Sequence, residues 1–367
     1  MRQACLLILF TFILITSTQA AIRFEDAVTP ELAVSGRALA MGNAYIAKSD
    51  DASAVLYNPA GLGTVRNSHL HLSNFYFEIN KGWMNIATNG KADDAASNFA
   101  SSLDTDGVRK LMLTNRGQLS QSRFSFMPNF TTRFFSAGYL VSNQNRATLD
   151  SAPGALFEFA ERLDHGPFGS FAIAFLGGIV KFGATVIFVN RTEKIGEIDP
   201  NTTVKSHTEL EKKGSALLTT LGGKLTFPVP MLPTLAFVTH NALDKDFSTG
   251  STNGSPTKVK RTVNVGLSLT PHLGQTTRLH LEINRKDFAG QYEEVSGQRK
   301  TTFGMEFDFF RVMFVRFGYG DGYGSAGLGI KTQRLEFDFT TYAVDTTTSS
   351  FRGEEDRRFA LSISSGF

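Results

Sequence analysis

From residue 68 to the carboxyl terminus, apolar and polar residues alternate in short runs broken by Gly, Pro, Asn, Asp and Ser, the period of strands joined by turns. Phe303, Met305, Phe307 and Phe309 alternate with Thr302, Gly304, Glu306 and Asp308, and Val263, Val265, Leu267 and Leu269 with Thr262, Asn264, Gly266 and Ser268. Leu279, Leu281 and Ile283 oppose Arg278, His280, Glu282 and Asn284; Leu335, Phe337 and Phe339 oppose Glu336 and Asp338. One face of the predicted sheet is oily and the other carries full charges. In a soluble sandwich the oily faces would meet each other, whereas in a transmembrane barrel they face lipid and the charges line a watery interior. Periodicity alone leaves both open.

The count is about fourteen strands, within a range of twelve to sixteen, since a bilayer-crossing strand takes roughly 9–11 residues and bacterial barrels use even numbers. Phe171–Asn190, divided by Gly177-Gly178, reads as a hairpin, and Ala216–Phe227 and Thr234–Asn241 flank a turn at Pro228, Pro230 and Pro233. Such short turns suit a periplasmic rim. Lys91–Gln118, Thr192–Gly214 and Leu243–Lys258 break the alternation with charge, Ser, Thr and Asn, and are predicted extracellular loops. The first has a helical spacing over Ala92–Phe99 and Val108–Leu113, so Phe99, Leu111 and Met112 are expected over a pore mouth.

The two ends favour the barrel. Phe359, Leu361, Ile363 and the terminal Phe367 share one face of a last strand, and an unprotected apolar edge there would invite aggregation unless it closed against the first strand. At the other end Met1-Arg2, the apolar run Leu6–Ile15 and Thr18-Gln19-Ala20 have the layout of a secretory signal over residues 1–20, with the mature chain starting at Ala21. The one cysteine, Cys5, falls inside it, so the mature chain is expected to have no disulfide. Stability must then come from a large core or from a hydrogen-bond network without edges. The net charge of +3 gives no sign of a nucleic-acid partner, and no run beyond the signal reaches the roughly 18 apolar residues of a membrane helix. If the chain spans a membrane, strands do it.

Between signal and barrel, residues 21–67 form an expected separate unit. Gly36-Arg37-Ala38-Leu39-Ala40-Met41-Gly42-Asn43-Ala44-Tyr45 supplies small residues for tight packing, and Asn58-Pro59-Ala60-Gly61 fixes a turn. Asp50, Asp51 and Asn58 are available to pair with wall charges. The stretch Gly36–Leu62 resembles the amino-terminal signature of FadL-type outer-membrane transporters, and Arg316–Gly329, Leu335–Phe339 and the closing strand after Asp356 resemble their final hairpins. The resemblance implies a plug or hatch (Gly36, Arg37, Met41, Gly42, Asp50, Asp51, Asn58, Pro59, Ala60, Gly61) folded into a fourteen-stranded barrel that carries long-chain fatty acids or other hydrophobic compounds. The PorV-like branch of secretion components shares the signature and implies a scaffold or shuttle instead.

Other constellations carry less. Gly322-Tyr323-Gly324-Ser325-Ala326-Gly327 has dinucleotide-binding spacing, but a strand follows where a helix is required, so it reads as a hairpin turn with room for close packing. His69, His71 and His280 lie on wet faces without an acidic partner at ligand spacing, and no Ser-His-Asp pattern marks an esterase. Most of Phe75, Tyr76, Phe77, Phe124, Phe126, Phe134, Phe135, Tyr139, Tyr319, Tyr323 and Phe367 are expected in lipid-facing girdles. The expectation is therefore an all-β transmembrane antiparallel barrel over residues 68–367. No cofactor, metal or enzyme activity is expected. Its expected partners are outer-membrane lipids, a hydrophobic small molecule, and the barrel-assembly machinery, which would read Phe359, Leu361, Ile363 and Phe367.

Overall fold

A computed structural model describes residues 22, 24, 32–65, 69–88, 98–347 and 351–366. The expected signal, the 67/68 boundary, Ala92–Ser97 and Phe367 lie outside the described residues.

The strands are β1 (His69–Asn80), β2 (Leu119–Phe126), β3 (Asn129–Thr132), β4 (Phe135–Leu149), β5 (Phe157–Phe175), β6 (Val180–Ile198), β7 (Glu211–Thr226) and β8 (Thr234–His240). They continue as β9 (Thr262–Leu269), β10 (Thr277–Arg285), β11 (Thr301–Phe309), β12 (Met313–Gly320), β13 (Tyr323–Lys331), β14 (Leu335–Asp345) and β15 (Glu355–Gly366). Each pairs antiparallel with its neighbours, and β15 closes on β1 with Ile363 opposite Phe75 and Leu361 opposite Phe77. Both β2 and β3 pair with β1 and with β4, so they are two halves of one stave. The interruption falls at Met127-Pro128, where proline has no N–H to give the ladder. The result is a closed barrel of fourteen staves, with no free edge.

Side-chain parity sorts the wall into two faces. Phe171, Ile173, Phe182, Phe188, Leu221, Phe237, Ile283, Phe303, Phe317, Leu328 and Phe339 are exposed outside, while Arg162, Arg191, Glu282, Glu306 and Arg316 are buried inside. The greasy face looks outward and the ionic face inward, as a membrane barrel requires. Among the described residues no helix is long and apolar enough to cross a membrane.

Turns at one rim are short: Leu176–Ile179 between β5 and β6, the Pro228–Pro233 turn between β7 and β8, and Phe310–Val312 between β11 and β12. The Gly322 segment is a two-residue hairpin turn at the opposite rim, with Asp321 at φ 50° and Gly322 at φ 87°, the mirror-image turn that fits strand twist.

The predicted loops need correction. Thr192–Ile198 and Glu211–Gly214 belong to β6 and β7, so only residues 199–210 of that stretch lie between strands. β5 and β6 each run 19 residues, well beyond the roughly 9–11 that cross a bilayer, and so rise above the membrane. Helices α3 (Lys81–Thr88) and α4 (Thr105–Met112), which follow α1 (Gly36–Ala40) and α2 (Ala54–Tyr57) in the chain, dock on that raised wall. Ile86, Val108 and Met112 pack on Ala147, Leu149, Phe157, Phe159 and Ile198. Phe157 and Phe159 have the parity of the outward Leu163 and Phe171, so Met112 covers the outside of the wall, not a pore mouth. Phe99 likewise lies outside, against Phe77 and Trp83. Asp106 ties α4 to the 199–210 loop by accepting from the amides of Val204 (2.7 Å) and Lys205 (3.3 Å), and it also accepts from Arg109 of its own helix. Burial would raise this carboxyl, but those three donors hold it below the usual carboxylate range.

Candidate functional site: a plug between two unlike lumen walls

Residues 32–65 lie inside the barrel, where α1 (Gly36–Ala40), α2 (Ala54–Tyr57) and a 3-10 segment (Pro59–Thr64) are almost wholly buried. Helices this short have little intrinsic stability in water, so the surrounding wall must supply it. The 3-10 segment starts where Asn58 takes an extended conformation and its Oδ1 accepts from the Ala60 amide (3.1 Å), with Pro59 pre-set for the first turn. Asn58 Nδ2 donates to the Ile46 carbonyl (3.0 Å), tying the two limbs of the plug together.

Close approach to the wall depends on glycines that face the lumen. A Cβ on Gly183 would sit 2.3 Å from the Pro59 carbonyl carbon, one on Gly222 2.0 Å from Asn58 Oδ1, and one on Gly318 2.1 Å from the Gly42 nitrogen. Gly42 itself is in the left-handed region at φ 62°, and its N–H donates to Ser325 Oγ (2.8 Å). Ala40 Cβ would be met at 2.5 Å by a Cβ on Gly327. Plug backbone and wall backbone therefore touch directly.

Against β10–β14 the plug is held by charge. Arg37 donates from Nε and Nη2 to the two oxygens of Glu306 (2.7 Å each), and from Nη1 to Tyr45 Oη (2.8 Å), Asp50 (2.8 Å) and Asp51 (3.0 Å). Glu306 also accepts from Arg316 Nε (2.8 Å), and Arg316 in turn pairs with Asp338. Glu282 accepts from the amides of Ala47 and Lys48 (2.8 Å each), and Thr340 donates to the Gly36 carbonyl (2.9 Å). Asp50 and Asp51 thus pair with the plug's own Arg37, and it is Arg37 that reaches the wall carboxylate. Burial alone would raise Asp50 and Asp51, but Lys48 and Arg37 beside Asp50, and Arg37 beside Asp51, hold both carboxyls low.

Against β4–β7 the plug meets an apolar file, with buried charges above and below it. Leu140, Phe168, Ala172, Ile187, Val189, Ala216 and Leu218 form one buried cluster with the plug residues Met41, Leu56, Tyr57 and Leu62 and with Phe247 of the loop 241–261. Two buried ion pairs bound this file above: Arg191 Nε to Asp164 (2.7 Å) and Arg162 Nη2 to Glu193 (3.0 Å). Thr257 of the same loop donates to Glu193 (2.8 Å) and accepts from Arg191 (2.9 Å). The Arg162 guanidinium lies 4.2 Å from the Phe24 ring centroid. Below the plug, a cavity of about 930 Å³ is lined by charged residues such as Arg37, Asp50, Glu306 and Arg311 together with apolar ones such as Leu56 and Phe314, and it opens at the short-turn rim.

Of the sequence-predicted residues, Gly36, Arg37, Met41, Gly42, Asp50, Asp51, Asn58, Pro59, Ala60 and Gly61 all lie in the plug. Phe359, Leu361 and Ile363 lie on the outer face of β15, opposite Ile79, Phe77 and Phe75. Not anticipated were the wall partners Glu282, Glu306, Arg316, Ser325 and Asp338 and the apolar file. Their signals were present: full charges recur on the wet faces, and Ala184–Val189 is apolar on both faces around Thr185.

Of the aromatics expected in the girdle, Tyr76, Phe134 and Tyr323 depart from it. Tyr76 and Tyr342 donate inward to Glu78, Phe134 packs against the interior cluster, and Tyr323 is buried. His71 Nδ1 meets Ser364 Oγ (2.8 Å), and His280 bridges Thr270 (2.9 Å) and Glu282 (3.1 Å). Among the described residues no group of three His, Cys, Asp or Glu is placed to hold a metal ion.

No family model and no curated protein matches the chain. Solved structures do. The toluene transporter TbuX of Ralstonia pickettii is similar at 10% identity and TM-score 0.54, over 92% of this chain and 99% of that one. The toluene transporter TodX of Pseudomonas putida is similar at 9% identity and TM-score 0.51, over 92% and 99%. The chain has the FadL-type transporter fold. At that identity the likeness concerns the path of the backbone, and the chemistry of the interior has to be read from this chain's own residues.

Proposed function

We propose that this protein is a plugged outer-membrane channel for passive uptake of hydrophobic or amphipathic small molecules. One observation carries the reading: the buried file Leu140, Phe168, Ile187, Val189 and Leu218 lines the inside of the barrel as one apolar cluster that reaches the plug. Side chains facing a solute pore would be polar, so an apolar stripe there needs either packing partners or a greasy cargo, and here it leads from the loop 241–261 to the plug. A cargo moving down its gradient would pass along the file once the ion pairs above it part and the plug yields. Long-chain fatty acids, and toluene as named for TbuX and TodX, are the cargoes to try first. The test compares uptake of both labelled compounds by liposomes holding the intact chain or a chain lacking residues 36–62. Equal uptake by protein-free and protein-containing liposomes would reject the channel.

A second reading is a PorV-like scaffold for secreted proteins. It is favoured by the ionic packing of the plug against the β10–β14 side, where Arg37, Glu306 and Arg316 are joined in one buried network. It predicts that removing the gene leaves uptake unchanged and strips secreted proteins from the cell surface.

The plug, Gly36–Leu62, is proposed as the gate. Phe359, Leu361 and Ile363 are proposed, with Phe367, as the signal for barrel assembly. Truncation of Phe367 should abolish membrane insertion, and normal insertion would contradict that role.

A further inference from the structure

The buried apolar cluster does not stop at the plug. Leu140, Phe168, Ile187 and Leu218 of the wall belong to one cluster with Ala33, Leu56, Val65 and Met127, and these last four also line the cavity beneath. The cavity therefore has a greasy side that continues the file, and it is open at the short-turn rim while the plug stays seated. Its volume of about 930 Å³ falls in the range of small-molecule sites, roughly 300–1,000 Å³.

The charges around that greasy side are mostly matched. Arg37 and Glu306 bind each other and Arg316 binds Asp338; nearer the rim Lys331 bonds Glu336 (2.7 Å), and Arg278 stands opposite Asp308 across β10 and β11. Arg311, which also lines the cavity, is different. Among the described residues its exposed side chain has no hydrogen-bond or ion-pair partner, while its amide donates to Asp308 (2.8 Å) and fixes the turn. That turn holds Phe310 at φ 58° and Arg311 at φ 60°, left-handed conformations that Gly or Asn takes at less cost. Strain of this kind concentrates at binding sites.

We propose that this cavity is a second ligand site, on the short-turn side of the plug, for a molecule with an apolar tail and one anionic head such as a carboxylate. The tail lies on Ala33, Leu56, Val65 and Met127, and Arg311 at the mouth takes the head. This names the chemical class of the cargo, and it rests on the uptake reading for its purpose but not for its geometry. A wholly apolar guest would strip water from the charged wall with nothing in return, whereas a carboxylate at the mouth stays half in water and bonds the guanidinium. A cationic head would face a like charge there.

The test uses the full chain in lipid nanodiscs and dodecanoate carrying a photoreactive diazirine at its tail end, with adducts located by mass after proteolysis. Adducts are expected on Leu56, Val65 or Met127. Unlabelled dodecanoate should suppress them, and dodecanol at the same content in the lipid should do so about tenfold less well. Arg311→Gly removes the guanidinium and relaxes the turn; it should weaken suppression by dodecanoate about tenfold and leave dodecanol unchanged, with gel mobility showing the variant barrel folded. Adducts confined to the upper file or the outer wall, equal suppression by acid and alcohol, or equal suppression in parent and variant would each overturn the proposal. Uptake of labelled dodecanoate by liposomes is scored separately. Adducts at these residues without uptake leave the site standing and reject the channel; uptake without such adducts keeps the channel and overturns the site.

Discussion

The two halves of the lumen are filled by opposite means. Between β10 and β15 the interior is packed with Arg37, Glu282, Glu306, Arg316, Asp338, Asp356 and Arg358, each placed by a directed hydrogen bond. Between β4 and β7, at the level of the plug, it is packed with Leu140, Phe168, Ile187, Val189 and Leu218, held by non-directional contact beneath the Arg191–Asp164 and Arg162–Glu193 pairs. Ionic packing fixes one geometry and is costly to break halfway, because a buried charge left alone is far worse than no charge. Apolar packing tolerates exchange of one greasy neighbour for another. A plug latched on the first side and greased on the second has a defined closed state and a surface that a hydrophobic guest can share.

The largest expected effect comes from cutting the ionic side. Glu306→Ala leaves Arg37 and Arg316 buried without their shared carboxylate and should cost about 3–5 kcal/mol, read as a lowered denaturant midpoint of the reconstituted barrel. A midpoint equal to that of the parent would show that water already satisfies both guanidinium groups. Next is the contact between plug and wall: Gly183→Leu drives a side chain into the Pro59 backbone and should cost about 1–3 kcal/mol of plug seating. Raised conductance in planar bilayers, with the barrel still folded by gel mobility, is the expected outcome.

The apolar side is tested by Ile187→Ser, which leaves a void and a hydroxyl in the file, should cost about 2–5 kcal/mol of stability, and should lower hydrophobic uptake by the folded protein about tenfold. A collapse of the fold with no separate effect on uptake would mean the file is core and nothing more.

The pH response of the plug follows from Asp50 and Asp51. Their folded values are depressed, so their contribution to seating is complete above the ordinary carboxylate value of about 4 and is lost only as pH falls through the depressed folded values. Conductance should stay low from pH 8 down to about 4 and rise only in stronger acid. A rise near pH 6 would assign control to some other group. The smallest effect is expected at the rim, where Arg357 pairs with Glu355 in partial exposure. Arg357→Ala should shift stability by less than about 1 kcal/mol and leave both halves of the lumen as they are.

The barrel was legible in the sequence wherever one face of a strand meets lipid and the other meets ionic side chains. That contrast writes a period of two into Val263–Leu269, Leu279–Asn284 and Phe303–Phe309. The hairpin at Gly177-Gly178 and the turn at Pro228–Pro233 were equally plain, because Gly and Pro act locally. The raised parts of β5 and β6 were not, since their outward face is covered by α3 and α4 in place of lipid and the alternation fades. The same covering put Met112 and Phe99 outside the barrel. The plug segment was legible as a unit from its run of small residues and its Asn-Pro turn, but its hold on the wall was not.

By itself, then, the sequence determined a two-faced sheet, the positions of its tight turns and a small-residue segment ahead of it, because each depends on neighbours within a few residues. Tertiary structure alone decided that Arg37 takes Glu306, 269 residues away, that Gly183 and Gly222 face Asn58 and Pro59, and that Leu140, Phe168, Ile187, Val189 and Leu218 meet in one apolar file. Those choices follow from closing the barrel, which fixes the stagger of every strand against the next and so sets which distant side chains meet across the interior.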